Sequence, residues 1–208
     1  MVQTETSRAG RQKLVKKAEV ILEGAMQEFL AHGYAATSMD RIAAAAGVSK
    51  ATVYSHFQDK EGLFTTLIQR LAQERYRTIF DPQHPQSLQG EPRIVLRRLA
   101  TEILDNSIED QQFHDFMRII VGESGRFPQL ARIYVQNLAK PVIEILGQYL
   151  ASHSELKLPD PEAAVRVFIG TLVYCVIFQE LLHGKKILPM ERERLIETLI
   201  HLIVPENL

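Results

Sequence analysis

The sequence predicts an all-α protein in which a small three-helix domain precedes a larger helical domain. Apolar residues recur every three or four positions along most of the chain, which is the spacing of one buried helix face. No stretch alternates apolar and polar residues in the period-2 pattern of a strand. The segment from Thr37 to Leu63 also carries the start and stop signals of two short helices joined by a tight turn.

The first predicted helix runs from Lys13 to His32, and Gly33 follows as its stop signal. We expect this helix to support the two that come next. Its apolar face consists of Ala18, Ile21, Leu22, Ala25 and Phe29.

Positive charge is concentrated at the start of the chain. Residues 1–17 contain five lysines and arginines and one glutamate, a net charge of +4, whereas the whole chain of 208 residues has a net charge of −1. Affinity for a polyanion must therefore come from a local patch, and the N-terminal end is the candidate. Residues 1–10 are interpreted either as a flexible arm for the minor groove of DNA or as a frayed terminus.

The second predicted helix begins near Ser38. Thr37 and Asp40 have the spacing of a capping box, in which the hydroxyl accepts from a free backbone N–H group and the carboxylate reaches back to the cap. Gly47 ends the helix because glycine adopts the left-handed conformation easily. The buried face is predicted to contain Ile42, Ala45 and Ala46.

The third predicted helix follows after a turn of three to four residues, as a helix-turn-helix requires. Ser49 is its N-cap, Val48 and Val53 have the spacing of a hydrophobic staple, and Phe57 continues the inward face. The opposite face carries small, polar and aromatic groups that suit the major groove of DNA, where they can contact bases and phosphates. These outward residues are Lys50, Ala51, Thr52, Tyr54, Ser55 and His56.

Asp59 is predicted to cap the fourth helix, and Lys60 follows it directly. A lysine in the first turn opposes the helix dipole, so Lys60 is interpreted either as a phosphate clamp or as a solvated surface residue. The complete set of predicted DNA contacts is Thr37, Ser38, Arg41, Ser49, Lys50, Ala51, Thr52, Tyr54, Ser55, His56 and Lys60.

These residues closely resemble the N-terminal domain of the TetR family of bacterial transcriptional regulators, over residues 11–75. A second segment, from Gly122 to Leu130, resembles a branch of that family that includes efflux regulators. The resemblance implies a DNA-binding homodimer. The matching pattern is Gly33-Tyr34, Thr37-Ser38-Met39-Asp40-Arg41-Ile42-Ala43, Ala46-Gly47-Val48-Ser49, Thr52-Val53-Tyr54, His56-Phe57 and Asp59-Lys60-Glu61-Gly62-Leu63.

The remaining chain is also predicted to be helical, apart from a proline-containing loop. Residues 1–60 are assigned to the helix-turn-helix domain and residues 61–208 to a helical domain for ligand binding and dimerisation. Prolines 128, 161 and 189 are expected in first turns, whereas Pro141 should kink or interrupt its helix. The predicted segments are helices at 60–80, 93–107, 109–123, 128–152, 161–183 and 189–204, and a loop at 81–92.

The helix at 161–183 is apolar around most of its circumference and must therefore be buried on two sides. In a chain of this size, one side can pack in the core and the other against a second subunit. We expect a homodimer formed by the last two helices. A two-fold dimer also reads two half-sites of a DNA operator, which one short recognition helix cannot do.

A cavity for a small apolar or amphipathic effector is expected between the central helices. Its polar anchors would come from His114, Arg118, Asn137 and Gln179. Arg118 either pairs with Glu102 or Glu123, or faces an anionic ligand group. The predicted lining consists of Phe113, Phe116, Met117, Arg118, Ile120, Tyr134, Leu138, Phe168, Leu172, Cys175 and Phe178.

No constellation for catalysis, metal binding or cofactor binding is found. The seven histidines have no ligand spacing, Glu180 and His183 form a single Glu-x-x-His pair, and Gly122-Glu123-Ser124-Gly125 lacks the last glycine of a nucleophile elbow. Cys175 is the sole cysteine, which favours a reducing cytoplasm. The most apolar stretch, at 167–178, has 12 residues and is too short to span a bilayer.

The sequence therefore predicts a cytoplasmic, homodimeric DNA-binding regulator, a repressor that a small effector releases from a palindromic operator. The effector must bind the DNA-incompetent state better, because otherwise it shifts nothing. The alternative is a ligand-binding or protein-interaction module that keeps the helix-turn-helix only as a scaffold.

Overall fold

The computed structural model describes residues 3–75, 88–108 and 110–204. Within these ranges the regular elements are helical, as predicted, and no strand occurs. The chain divides into two compact units. The first unit comprises the described residues up to Ile68 together with Ile119–Ile133, and the second unit comprises the described residues of 69–118 and 134–204.

The first unit begins with four helices: α1 (Gln3–Ala36), α2 (Met39–Ala45), α3 (Lys50–His56) and the first turns of α4 (Lys60–Arg75). Helix α1 starts ten residues before the predicted position, so residues 3–10 are helical instead of forming an arm. Four residues of this segment, Gln3, Glu5, Arg8 and Ala9, are good helix formers, and adding residues to a helix already nucleated downstream costs less than starting a new one. Residues 1 and 2 of the predicted arm lie outside the described residues.

Helix α1 packs against α2, which in turn packs against α3. The predicted inner face of α1 is confirmed, since Ile21, Leu22 and Phe29 are buried. The predicted face of α2 is wrong in one respect: Ala45 is exposed and Ala43 is buried. The helix begins at Met39, and Ile42 and Ala43, one turn later, share its buried face. Ala45 lies outside this face.

Gly24 allows α1 to approach the end of α2 closely. A Cβ atom at this position would lie 2.8 Å from the backbone nitrogen of Ala46. Because that neighbour is backbone, Gly24→Ala should force the two helices apart and reduce the free energy of unfolding by about 1–3 kcal/mol. Denaturant unfolding measures this loss.

The control is Gly122→Ala, because nothing lies within 4 Å of a Cβ atom there. This variant should be neutral or slightly stabilised by its higher helix propensity. Equal stability of the Gly24→Ala variant and the parent would contradict close packing of α1 against Ala46.

The first unit extends beyond the predicted boundary between residues 60 and 61. Leu63, Phe64 and Leu67 on α4 are at most 2% exposed and belong to this unit. Phe64 meets the rings of Phe29 and Tyr34 at centroid distances of 5.4 Å. The boundary differs because the helix-turn-helix needs these side chains to complete its core.

The second unit is also helical. Its elements are α5 (Pro92–Ile108), the first part of α6 (Gln111–Glu123), the end of α7 (Pro128–Tyr134), α8 (Lys140–Ala151), α9 (Pro161–Val176) and α10 (Arg192–Ile203). Pro128 and Pro161 begin their helices, as predicted. Pro189 does not: Glu191 is the N-cap of α10, so the last helix starts three residues later than predicted. Residues 76–87 of the predicted fourth helix and loop lie outside the described residues.

Pro141 interrupts its helix through a π turn at Val135–Ala139, which lies between α7 and α8. Proline lacks an N–H group and its ring clashes with the carbonyl group four residues before it. The wider turn relieves this conflict. It also explains why the buried residues Ile133 and Leu138 are five positions apart, whereas Leu138, Val142 and Leu146 follow at intervals of four.

Helix α9 forms the centre of the second unit and packs against α5, α8 and α10. Val165, Phe168 and Leu172 are fully buried. The last helix is held on α5 by ion pairs of Arg97 with Glu193 and Glu197. Residues of the last two helices share one hydrophobic core in the single chain, whereas the homodimer predicted through these helices stays a prediction.

A second π turn, at Ile177–Leu181, extends α9. The combined helix Pro161–Leu181 has 21 residues, a window with a mean hydropathy of 1.6, and 33% of that window buried. By length and composition alone, this helix is long enough to cross a membrane. It is longer than the apolar stretch of 12 residues at 167–178, from which the sequence predicted no span. The rest of this apolar window is half-buried or exposed in the single chain.

Candidate DNA interface

Helix α3 has the predicted cap and orientation. The Ser49 hydroxyl accepts a hydrogen bond from the backbone N–H of Thr52 at 3.1 Å, and Gly47 has a positive φ of 63°. Val53 and Phe57 are buried, which turns the opposite face outward. Among the predicted contacts on α3 itself, the exposed residues are Lys50, Ala51, Tyr54 and Ser55, and the half-buried ones are Thr52 and His56.

The predicted cap of α2 is displaced by one residue. Ser38, not Thr37, is the N-cap, and its hydroxyl accepts from the N–H of Arg41 at 3.3 Å. Thr37 is 2% exposed, and its hydroxyl lies 2.8 Å from the carbonyl oxygen of Gly33. The Thr37 hydroxyl thus faces the end of α1, which makes Ser38 the better candidate for a DNA contact.

Two predicted DNA contacts form ion pairs with carboxylates. Lys50 lies 2.7 Å from Asp40, and the hydrogen bond between them raises the pKa of the lysine. Arg41 lies 2.7 Å from Glu28. Since exposed ion pairs contribute little free energy, both cations can exchange their carboxylate for a phosphate group.

Lys60 makes contacts that the sequence did not reveal. Its ammonium group donates to the carbonyl oxygens of Tyr34 at 2.7 Å and Thr37 at 2.8 Å, and it lies 4.2 Å from the centre of the Tyr34 ring. Burial lowers the pKa of Lys60. The lysine therefore fixes the connection between α1 and α2, and a contact with phosphate stays a prediction.

Glu123 was missed as part of this site. Its carboxylate accepts hydrogen bonds from the backbone N–H groups of Tyr34, at 2.8 Å, and Ala35, at 3.2 Å. The partners are 88 and 89 positions apart, so no local spacing could indicate them. Burial, with the neighbouring carboxylates, raises the pKa of Tyr34 to about 12.

The first unit thus presents a helix with an outward polar face, next to a second helix whose capped N-terminus faces solvent. Lys16 and Lys17 on α1 are exposed, whereas the side chains of Arg8, Arg11 and Lys13 lie outside the described residues. This combination of an exposed short helix, hydroxyl groups and exchangeable cations can bind the major groove and its phosphates.

The second unit contains a cavity of about 320 Å³. Two of the predicted effector contacts, Tyr134 and Leu138, line it. Its wall is apolar except for Arg166, which also pairs with Glu162 at 2.6 Å. The other lining residues are Ile103, Ala139, Val142, Ile143, Ile169, Gly170 and Val173.

Several other predicted effector contacts are core residues. Phe116, Phe168 and Leu172 have no exposed surface. Phe178 is exposed and lies against Tyr174, with ring centroids 4.3 Å apart. Phe113, Ile120 and Cys175 are buried, and Met117 is half-buried.

Arg118 is paired, but with neither carboxylate considered from the sequence. It forms an ion pair with Asp115 and donates to the carbonyl oxygen of Leu181 at 3.0 Å. Leu181 ends the second π turn, so the guanidinium group stabilises this irregular backbone. This pairing favours a structural role for Arg118.

The described residues contain no group of three His, Cys, Asp or Glu side chains that could hold a metal ion. Burial raises the pKa of the Cys175 thiol, as expected for a packed cysteine.

Two family profiles match the chain. "Bacterial regulatory proteins, tetR family" matches residues 21–67, which contain α2, α3 and parts of α1 and α4. "AefR-like transcriptional repressor, C-terminal domain" matches residues 94–204, more than half of the chain.

Individual proteins agree with these profiles. The solved structure of the "Flavonoid-responsive Regulator FrrA" has a TM-score of 0.67 and 34% identity, and the match covers 89% of this chain and 92% of that one. The regulator YhgD of Bacillus subtilis is 26% identical over 93% of this chain and 97% of its own. The regulator AcrR of Shigella flexneri is 29% identical over 55% of this chain, and the match spans about half (52%) of AcrR.

Proposed function

The chain belongs to the TetR family of bacterial transcriptional regulators, and we propose that it is a cytoplasmic repressor that binds a palindromic operator as a homodimer until a small effector releases it. Membership in this family makes the protein a DNA-binding regulator and not an enzyme. It also favours the DNA-binding interpretation over a module that keeps the helix-turn-helix as a scaffold.

The outward face of α3 is the observation that carries the proposal. Tyr54 is 46% exposed on this face, and the N-cap at Ser49 fixes the start of the helix. In a helix-turn-helix, the residues near the start of the second helix contact base edges. We therefore assign base contacts to Lys50 and Ala51, contacts to bases or phosphates to Thr52 and Ser55, and phosphate contacts to Ser38, Arg41, Ser49, Tyr54 and His56.

The homodimer is proposed to form through an apolar stripe on α9 and its extension. The stripe consists of Val167, Tyr174, Phe178 and Leu182, which are between 36% and 62% exposed. These residues recur at intervals of four or seven and therefore share one helical face. An exposed apolar patch of this kind marks an interface, and a second copy of the chain would cover it with the same patch.

The effector is proposed to bind in the apolar cavity of the second unit. Its volume of about 320 Å³ suits a small organic molecule. FrrA, by its name, responds to a flavonoid. A small aromatic or amphipathic molecule is thus the class of effector that the cavity and this relative support.

The first π turn connects the cavity with α4. Leu138 and Ala139 of this turn line the cavity. Asn137 of the same turn accepts a hydrogen bond from the side chain of Gln69 on α4 at 2.8 Å. α4 continues without a break to Lys60. An effector that displaces this turn would therefore act on α4, provided that it prefers the displaced state.

Selection on a random duplex library at moderate salt tests the proposal, since salt sets how much non-specific binding survives. We expect enrichment of a two-fold symmetric site. That duplex then serves as a probe for release by small aromatic molecules, a flavonoid among them. Failure to enrich any symmetric duplex with effector-free protein would contradict the proposed function.

Tyr54→Ala should weaken binding to the selected duplex by roughly tenfold to a hundredfold, because it removes a contact from the outward face of α3. Fluorescence anisotropy measures this loss. Tyr54→Phe is the matched control, since it keeps the ring and removes only the hydroxyl group. The side chain is exposed, so both variants should keep the molecular mass and thermal stability of the parent. Unchanged affinity of Tyr54→Ala would remove Tyr54 from the interface.

A further inference from the structure

The connection between α1 and α2 contains a break that the helix itself cannot stabilise. Gly33 has φ 73° and ψ 173°, far from helical values. A helical N–H group bonds to the carbonyl group four residues earlier, and a break leaves the groups on either side without that partner. Such buried or half-buried backbone groups require other partners.

Glu123 supplies acceptors on one side of this break. Its two carboxylate oxygens accept from the N–H groups of Tyr34 and Ala35, the first two residues after Gly33. One oxygen lies 2.5 Å from the position that a Cβ atom of Gly33 would occupy. A glycine at this position therefore leaves the space that the carboxylate fills.

Lys60 supplies donors to the same segment after the break. Its ammonium group binds the carbonyl oxygens of Tyr34 and Thr37. The Tyr34 residue is thus held by an anion at its N–H group and by a cation at its carbonyl group. Hydrogen bonds with a charged partner are about twice as strong as neutral ones.

The Tyr34 side chain is fixed as well. Its ring stacks on Phe29 at 5.5 Å and meets the edge of Phe127 at 5.4 Å, so Glu123 and Phe127 hold the same residue from neighbouring positions of one segment. Ser38, the N-cap of α2, follows Tyr34 by only four residues, and α2 packs on α3. The direction of the break therefore determines the positions of the predicted DNA contacts.

We infer that Glu123 is a positioning residue for DNA binding: it does not touch DNA but holds the break after Gly33 in the direction that aligns α2 and α3 with the operator. This inference rests on the proposed function. It assigns a role in operator binding to a residue that lies about 60 positions after the helix-turn-helix.

The direction of the change in DNA affinity distinguishes this role from a general electrostatic effect of the charge. Removal of a negative charge from a DNA-binding protein should by itself strengthen binding to a polyanion. Glu123→Gln should instead weaken binding to the selected duplex by roughly tenfold, because the amide group retains one acceptor oxygen and places a donor against an N–H group. Glu19→Gln, at an exposed position on α1, is the charge-matched control and should bind as tightly as the parent or more tightly.

Amide hydrogen exchange supplies a readout that a general loss of stability would not reproduce. In Glu123→Gln, exchange should accelerate at Tyr34 and Ala35 and stay unchanged at Val53 in the core of α3. Acceleration at all three amides would assign Glu123 to overall stability and overturn the positioning role. Binding of Glu123→Gln as tight as that of the parent would overturn it too. A parent that selects no symmetric duplex would instead overturn the proposed function itself.

Discussion

Tyr174→Glu is expected to convert the proposed homodimer into a monomer and to weaken binding to a two-fold operator by roughly a hundredfold or more. The large factor arises because a dimer binds its second half-site at a high effective concentration, and a monomer loses this advantage. Tyr174 is 52% exposed in the single chain and lies at the centre of the apolar stripe.

The physical cause is the burial of like charges. In a two-fold interface each residue of the stripe faces the same patch on the partner, so one substitution introduces two carboxylates. Burying carboxylates without cations to pair with them costs several kcal/mol. The substitution should leave the monomer folded because the side chain points away from the core of its own chain.

Analytical ultracentrifugation measures the mass, and anisotropy with the selected duplex measures the affinity. Ile94→Glu is the matched control, since Ile94 on α5 is an exposed apolar residue, 62% accessible, outside the stripe. The control should stay dimeric. If the Tyr174→Glu variant stays dimeric, the dimer interface lies on another surface. The groove of about 870 Å³ between α8 and α9 is then the next candidate.

Phe64→Ala is expected to reduce the free energy of unfolding of the first unit by about 3–5 kcal/mol. Phe64 has no exposed surface and contacts both Phe29 and Tyr34 through edge-to-face ring pairs. Its removal would leave a cavity between α1 and α4 and take away the support of the Tyr34 ring. Operator binding should fall in parallel.

Denaturant unfolding followed by far-ultraviolet circular dichroism measures this effect. Phe64→Leu is the matched control, because it keeps most of the apolar volume and loses only the ring pairs, so its loss should be clearly smaller. A loss below about 1 kcal/mol in Phe64→Ala would mean that the cluster is not the core of this unit.

The sequence was sufficient for most features whose determining contacts span four residues or fewer. The cap at Ser49, the stop at Gly47 and the buried Val53 follow from local hydrogen bonds and helix periodicity, and the structure confirms all three. The one-residue error at Thr37 has a local cause as well. Two hydroxyl residues stand side by side, and the Gly33 break directs the first of them inward.

Contacts between distant residues were not predictable in this way. Nothing in the residues around Lys60 or Glu123 indicates that both bind the backbone of Tyr34. The effector contacts had a different difficulty, since an apolar helical pattern does not distinguish a core residue such as Phe168 from a cavity residue such as Tyr134. Pro141 predicted an interruption, but not the π turn that accommodates it.

The first unit is discontinuous in the chain, since it ends at Ile68 and resumes only at Ile119–Ile133. Ribosomes add about 5–20 residues per second, so about 3–13 seconds separate the synthesis of Ile68 from that of Ile133. During this interval a nascent chain already contains α2 and α3 but still lacks the partners of Tyr34 that follow α5. A newly made protein therefore completes its DNA-binding unit only after residues 69–118 of the second unit have been translated, but before synthesis of all the cavity-lining residues except Ile103.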